Sequence, residues 1–161
     1  MSDDSAETTQ WLFQFNPDWY DLEASVKRSL VEEWTMSHAR DRVRVGQRIH
    51  FLRAGGSAGG QYGAVAATGR IASLVFEKPD EADEHLRNWV QVVYDAMIVP
   101  PLTRPEMRQD AILKTYLPLA KGIVGANFRP PADVMTRIEQ LTKGRLRPIS
   151  TSDVSARLTL A

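Results

Sequence analysis

Hydrophobic and polar positions alternate most regularly between Trp89 and Val99. Val90, Val92, Tyr94, Ala96 and Ile98 fall on one face, the period-two signature of a strand with one side buried. Pro100-Pro101 is predicted to stop it. Trp11–Phe15 is a short, mostly apolar run closed by Asn16-Pro17 and predicts a buried strand. A helix is expected from Asp21, a good N-cap, because Leu22, Val26 and Leu30 then line one stripe. Trp34–Met36 reads as a brief extended piece. Gly46 marks a turn into a strand over Arg48–Arg53. The segment Gly55-Gly-Ser-Ala-Gly-Gly60 predicts a flexible turn. Tyr62–Phe76, rich in small and β-branched residues, reads as one long strand or two joined at Gly69. Pro79–His85 is an acidic connection.

Beyond the prolines, Thr103-Arg-Pro-Glu106 has the spacing of a capping box. It predicts a short helix carried on by Met107, Ala111 and Leu113 or Lys114. Val134, Met135, Ile138 and Leu141 predict a last amphipathic helix after Pro130-Pro131. Strands mixed with short, irregularly placed helices do not give the β-α-β alternation of a parallel sheet. The expected class is α+β: a mostly antiparallel, partly closed barrel with helices packed outside. Residues 11–142 are expected to form the domain, with a loose polar arm over 1–10 and a polar tail over 143–161.

A chain of 161 residues with 43% hydrophobic positions suits one domain with a substantial core. There are 20 basic and 20 acidic residues, so the formal charge is zero. A nucleic-acid binder usually shows a basic excess, so any such role here needs charge segregated onto one face. No cysteine is present, which excludes disulfides, thiolate catalysis and thiolate-held zinc. Met1–Gln10 lacks the basic and apolar regions of a signal peptide, and no run approaches the ~18 apolar residues of a membrane span. A cytoplasmic location and no membrane partner are expected.

Candidate chemistry is sparse. His38, His50 and His85 are the only histidines, and none has a second ligand at metal-site spacing. His38 lies near Ser37 and Asp41, but a catalytic triad is assembled in space and not by adjacency. Gly59-Gly60 is followed by Gln61-Tyr62, without the lysine of a phosphate-binding loop. More suggestive is the crowding of Trp11, Phe13, Phe15, Trp19, Trp34 and Phe51 into the first third of the chain. Bases outside a duplex are held by aromatic faces and a few polar edge contacts. Asn16 supplies both a donor and an acceptor, and arginines at 40, 42, 44, 48 and 53 suit phosphates. The alternative is that the aromatics are core and the arginines a solvated face.

Several segments together resemble the EVE domain, a member of the PUA-like group. Trp11-Leu-Phe-Gln-Phe-Asn-Pro17 with Tyr20-Asp21 looks like that family's first strand and helix, and Trp34 followed by His38 like its tryptophan segment. Gly46-Gln-Arg-Ile-His-Phe-Leu-Arg-Ala-Gly55 is similar to its glycine-flanked strand. Gly122-Ile-Val-Gly-Ala-Asn-Phe128-Arg-Pro130 is similar to its closing segment. Gln47 stands where the family commonly has aspartate, Asn127 departs within the closing segment, and Leu52 stands where it usually has tryptophan or tyrosine. The last change either removes a wall of an aromatic cage or shapes the pocket for a different base.

The resemblance implies a PUA-like pseudo-barrel over most of the chain and a non-enzymatic module without cofactor or metal. It implies recognition of a flipped-out modified base, often a modified cytosine, in DNA or RNA. Trp34 is expected as a stacking wall and Asn16 as an edge-reading group, with Phe15, Ser37, His38, Leu52 and Arg53 lining the pocket. Arg40, Arg42, Arg44, Lys121 and Arg129 are expected on the backbone, with the acidic Asp80–Glu84 stretch on the far side. Relatives are fused to nucleases of modification-dependent restriction systems, so a defence role implies a separate nuclease subunit. Two other readings stay open. One is a small nucleotide- or RNA-processing enzyme using His38 or His50 as acid or base. The other is a protein-binding adaptor with an exposed apolar patch.

Overall fold

A computed structural model describes residues 9–37, 39–123 and 125–149. The first strand, β1 (Trp11–Phe15), has the bounds the sequence predicts. Asp21 then caps α1 (Leu22–Arg28), its carboxylate accepting the Ala24 N–H at 3.1 Å. The helix ends two residues before Leu30, which still packs against the core. β2 (Val31–Thr35) is longer than its polar sequence suggests, because pairing with a neighbouring strand holds it extended. β3 (Arg48–Arg53), β4 (Ala64–Ile71) and β5 (Phe76–Pro79) follow. The stretch expected over 62–76 as one long strand or two joined at Gly69 is two strands, separated at Ala72–Val75 while Gly69 lies within β4.

The central element is β6 (Leu86–Thr103), 18 residues long. It runs through Pro100-Pro101, contrary to the expectation that they stop it. The reason lies in the register: Ala67 pairs with Met97 while Val65 pairs with Leu102. Ile98 to Pro101 thus bulge opposite Ala66, and the prolines sit where the β4 ladder asks for no N–H. A second irregularity lies between Thr68 and Gly69. There a Cβ on Gly69 would lie 2.5 Å from the Val93 carbonyl oxygen and 2.9 Å from the Phe51 ring.

The sheet order is β2-β6-β4-β3-β1-β7, with β7 spanning Asn127–Phe128. β5 and the short β8 (Leu146–Pro148) also pair with β6. β1 and β3 run parallel, and the other described ladders are antiparallel. The result is the expected α+β arrangement, a curled, mostly antiparallel half-barrel with flanking helices. The segment expected as a tail begins with a 3-10 turn at Lys143–Arg145 and the strand β8; residues 1–8 and 150–161 lie outside the described residues.

Strand alternation divides the core in two. Trp11, Phe13, Phe15, Phe51, Trp34 and Tyr94 pack on the face that α1 covers. Leu12, Leu52, Val65, Ile98 and Leu102 point the other way, under the C-terminal helices. Thr103 caps α2 (Arg104–Gln109), and its hydroxyl and the Glu106 carboxylate interact as the capping box predicts. The helix stops at Asp110 instead of reaching Leu113. The Asp110 carboxylate accepts the N–H groups of Ile112 and Leu113 at 3.0 Å and turns the chain. α3 (Leu117–Ala120) and α4 (Ala132–Thr142) complete the layer, with Val134, Met135 and Ile138 buried as their spacing requires. Among the described residues no helix is long and apolar enough to cross a membrane.

Candidate functional site

The end of β1 opens onto a cavity of about 790 Å³. Phe15, only 8% exposed, forms one wall, and Asn16 continues from it. The Asn16 side-chain oxygen accepts the Asp18 N–H at 2.9 Å, while its main-chain oxygen accepts from Trp19 and Tyr20. This Asx turn engages the amide oxygen of Asn16, whose Nδ2 is a donor on a residue that lines the cavity. The same turn carries Trp19 to the lip, where it is 87% exposed. An indole held that far into solvent beside a cavity is a ready stacking surface.

The opposite walls are backbone. Ser57 donates from its N–H and hydroxyl to the Asp18 carboxylate at 2.7 and 2.8 Å, latching the Gly55–Gly60 loop beside the Trp19 turn. Gly56, at φ +57°, takes a backbone conformation that favours glycine and packs closely on the turn: a Cβ would approach Asn16 Oδ1 and both Asp18 oxygens at 3.0 Å. The stretch the sequence predicts as a flexible turn is thus a fitted wall. Gln14 holds the remaining side, its Nε2 donating to the Ile123 and Gly125 carbonyls at 3.0 and 2.8 Å. Thr35 and Arg104 complete the lining.

The structure gathers only part of the predicted site here. Phe15 and Asn16 line this cavity. Trp34 does not serve as an open wall: it is 9% exposed, and Phe13, Phe15, Tyr20 and Phe51 surround it at centroid distances of 6.0, 6.2, 5.2 and 5.0 Å. It backs Phe15 from within the core. Leu52 is fully buried in the other core, because consecutive strand residues point to opposite faces. Arg53 lies over the Tyr62 ring at 3.8 Å, donates to the Tyr62 carbonyl, and lines a second cavity of about 410 Å³ that shares Phe15. Ser37 donates its N–H to Asn127 Oδ1 at 3.0 Å and lines a third cleft with Arg40. That cleft touches the main cavity through Thr35. His38 lies outside the described residues.

Arg40, Arg42, Arg44, Lys121 and Arg129 are all exposed, and none is in an ion pair with a described residue. The acidic turn is not wholly remote from them. Asp80 and Asp83 pair with Arg87, which lines the same cleft as Arg40. Of the other histidines, His50 is buried with Nδ1 unpaired. Burial, helped by Arg48, lowers its pKa from 6.5 to about 3, so it is neutral. His85 is exposed, 3.5 Å from Asp83. No group of three metal-ligating side chains occurs among the described residues.

Several solved structures share this architecture. A hypothetical protein from Leishmania major superposes with a TM-score of 0.65 at 16% identity, covering 86% of this chain and 98% of that one. Human THYN1, solved in complex with DNA containing 5-methylcytosine, gives 0.64 at 11% identity, covering 84% and 98%. The structure of the DUF55 domain of human thymocyte nuclear protein 1 gives 0.62. The chain shares the fold of these structures, a curled half-barrel sheet with flanking helices, as the resemblance to the EVE domain implies. The YTH domain of the Zygosaccharomyces rouxii MRB1 protein, solved with N6-methyladenosine RNA, also matches, with a TM-score of 0.50 at 16% identity over 83% of this chain and 87% of that one. No protein-family model matches the sequence, and no curated protein matches it. Trp19, Thr35, Arg104 and the glycine walls line the cavity without having been placed in the pocket from the sequence. Trp19 was visible as an aromatic beside Asn16-Pro17, but nothing in its spacing separates a lip residue from a core one.

Proposed function

We propose that this chain is a non-enzymatic reader of a modified nucleobase, received flipped-out into the cavity at the end of β1. The observation that carries the reading is the conjunction of Phe15, the oriented Asn16 amide and the exposed Trp19 around one cavity of about 790 Å³. That volume lies within the ~300–1,000 Å³ of ordinary small-molecule sites. Two neighbours of the same fold were solved with nucleic acid carrying a methylated base, one DNA and one RNA. A modified cytosine in DNA is the leading ligand and a modified base in RNA the second. Trp19 stacks on the base or its neighbour, Asn16 Nδ2 donates to a base-edge acceptor, and Phe15, backed by Trp34, closes the apolar side. The exposed arginines and Lys121 contact phosphates.

Fluorescence anisotropy tests this with single-stranded and duplex oligonucleotides, each plain or carrying 5-methylcytosine, 5-hydroxymethylcytosine or N6-methyladenine. Preference for one modification, weakened by Trp19→Ala, is the expected result. Indifference to every modification, with the Trp19 change silent, overturns the reading. The described histidines favour a binding role over acid–base chemistry, since His50 is buried and neutral and His85 sits on an exposed turn.

A further inference from the structure

The floor of the cavity holds a cation without a counter-charge. Arg104 is 2% exposed, yet its guanidinium meets no carboxylate among the described residues. Nε donates to the Leu119 carbonyl at 3.1 Å, Nη1 to Gly60 at 2.6 Å and Nη2 to Pro118 at 3.4 Å. A guanidinium carries five N–H donors, so two remain without an acceptor among the described residues. Among the described residues the charge that acts on it is repulsive: Arg108 donates to the Ala120 carbonyl at 2.6 Å, at the same end of α3. Burial and this neighbour both disfavour the charged form of Arg104.

The surroundings are shaped to admit the guanidinium. A Cβ on Gly63 would lie 2.4 Å from its central carbon, and one on Gly122 would lie 3.0 Å from Nη1. Gly60 and Gly122, which flank it, both line the cavity. Carbonyl dipoles offset part of the cost of a buried charge, but the net charge stays uncompensated, which is the expensive case. A ligand that brings an anion to this floor removes the imbalance.

We propose that Arg104 receives an anionic group of the bound nucleotide, so that the cavity selects a charged ligand over a neutral nucleoside. This rests on the base-reader reading and adds the charge of what is read. The anion has two possible sources with the same chemistry: a carboxylate on the base itself, or the phosphate of the flipped nucleotide.

The test titrates the full chain, labelled with ¹⁵N-arginine, with 5-methyldeoxycytidine, 5-carboxydeoxycytidine, 5-methyldeoxycytidine monophosphate and inorganic phosphate. The expected result is that an anionic ligand binds roughly tenfold or more tightly than the neutral nucleoside, within the coupling range of close buried charge pairs. The same ligand moves the Arg104 Nε resonance. Advantage for the carboxynucleoside assigns the anion to the base, and advantage for the monophosphate assigns it to the backbone. Arg104→Gln is expected to erase the gap. Should that variant fail to fold, the resonance in the wild-type protein decides alone. If the neutral nucleoside binds as tightly and the resonance stays still, Arg104 only clamps three carbonyls: the inference falls and the reader reading stands. If no nucleoside binds but phosphate moves the resonance, the reader reading falls and the anion site stands. If nothing binds, both fall.

Discussion

The indole N–H of Trp34 donates to the hydroxyl of Tyr94 at 2.9 Å, inside the aromatic core. From there a single direction of donation runs outward. Tyr94 meets the Tyr20 hydroxyl at 2.7 Å, Tyr20 donates to Ser25 at 2.6 Å, and Ser25 donates to the Glu32 carboxylate at 2.9 Å. Each buried polar atom in the row is satisfied by the next, which lets a tryptophan and a tyrosine share a dry interior. Tyr94→Phe removes the link and leaves the indole N–H unpaired. The expected loss is about 1–3 kcal/mol of stability, measured by urea unfolding.

The same row sets an alkaline limit. Burial raises the pKa of both Tyr94 and Tyr20 above the ordinary 10.0. Above that pH the unfolded chain releases tyrosine protons that the folded chain keeps, so stability is full below pH 10 and falls as pH rises. Tyr94→Phe should flatten the fall between pH 10 and 11.5 in thermal melts; an unchanged slope would contradict the buried network.

His50 acts at the other end of the pH scale. Its folded pKa of about 3 lies below the ordinary 6.5, so the unfolded chain binds the extra proton between those values. Stability should therefore decline as pH drops below 6.5, by up to about 1.4 kcal/mol per unit from this residue. His50→Leu should remove that contribution from the acid branch of the stability curve.

The two tryptophans should separate binding from folding. Trp19→Ala is expected to change stability by no more than about 0.5 kcal/mol, since the ring is in solvent. It should weaken ligand binding ~5- to 150-fold, the equivalent of one stacked base. Trp34→Ala should cost about 3–5 kcal/mol of stability. Equal effects of the two changes on the unfolding midpoint would show that the lip is structural.

Gly69→Ala places a methyl against the Val93 carbonyl and the Phe51 ring, at the register shift between β4 and β6. About 1–3 kcal/mol of destabilisation is expected, read from denaturant midpoints.

Patterning along the chain was enough for β1, β3, the cap of α1 and the buried face of α4, because each is decided by residues next to one another. Where the reading failed, a distant partner decides. Pro100-Pro101 looked like a stop because a lone strand cannot show that its neighbour skips Ala66 at that point. Leu52 looked like a pocket residue because a motif gives order along the chain but not the face of the sheet. Of the pocket, Phe15 and Asn16 were legible from one segment. Trp34, expected as a stacking wall, lies in the core, and Trp19, given no place in the pocket, stands at its lip, since only the Asx turn at Asn16 reveals which indole is carried outward. Arg104 read as the start of a helix, and its lack of a counter-charge exists only once Gly60, Pro118 and Leu119 converge on it.

Gln14 reaches the Ile123 and Gly125 carbonyls, so the cavity is a seam where the domain's first strand meets a segment more than a hundred residues later. Such a seam cannot exist in a half-folded chain. A ligand held there binds the native state alone and draws the whole equilibrium towards it, by about 2.7 kcal/mol at a concentration of 100 Kd. Occupancy and global order thus become a single quantity. Proteolytic resistance measured across a panel of modified nucleotides would rank the ligands without any label on protein or nucleic acid.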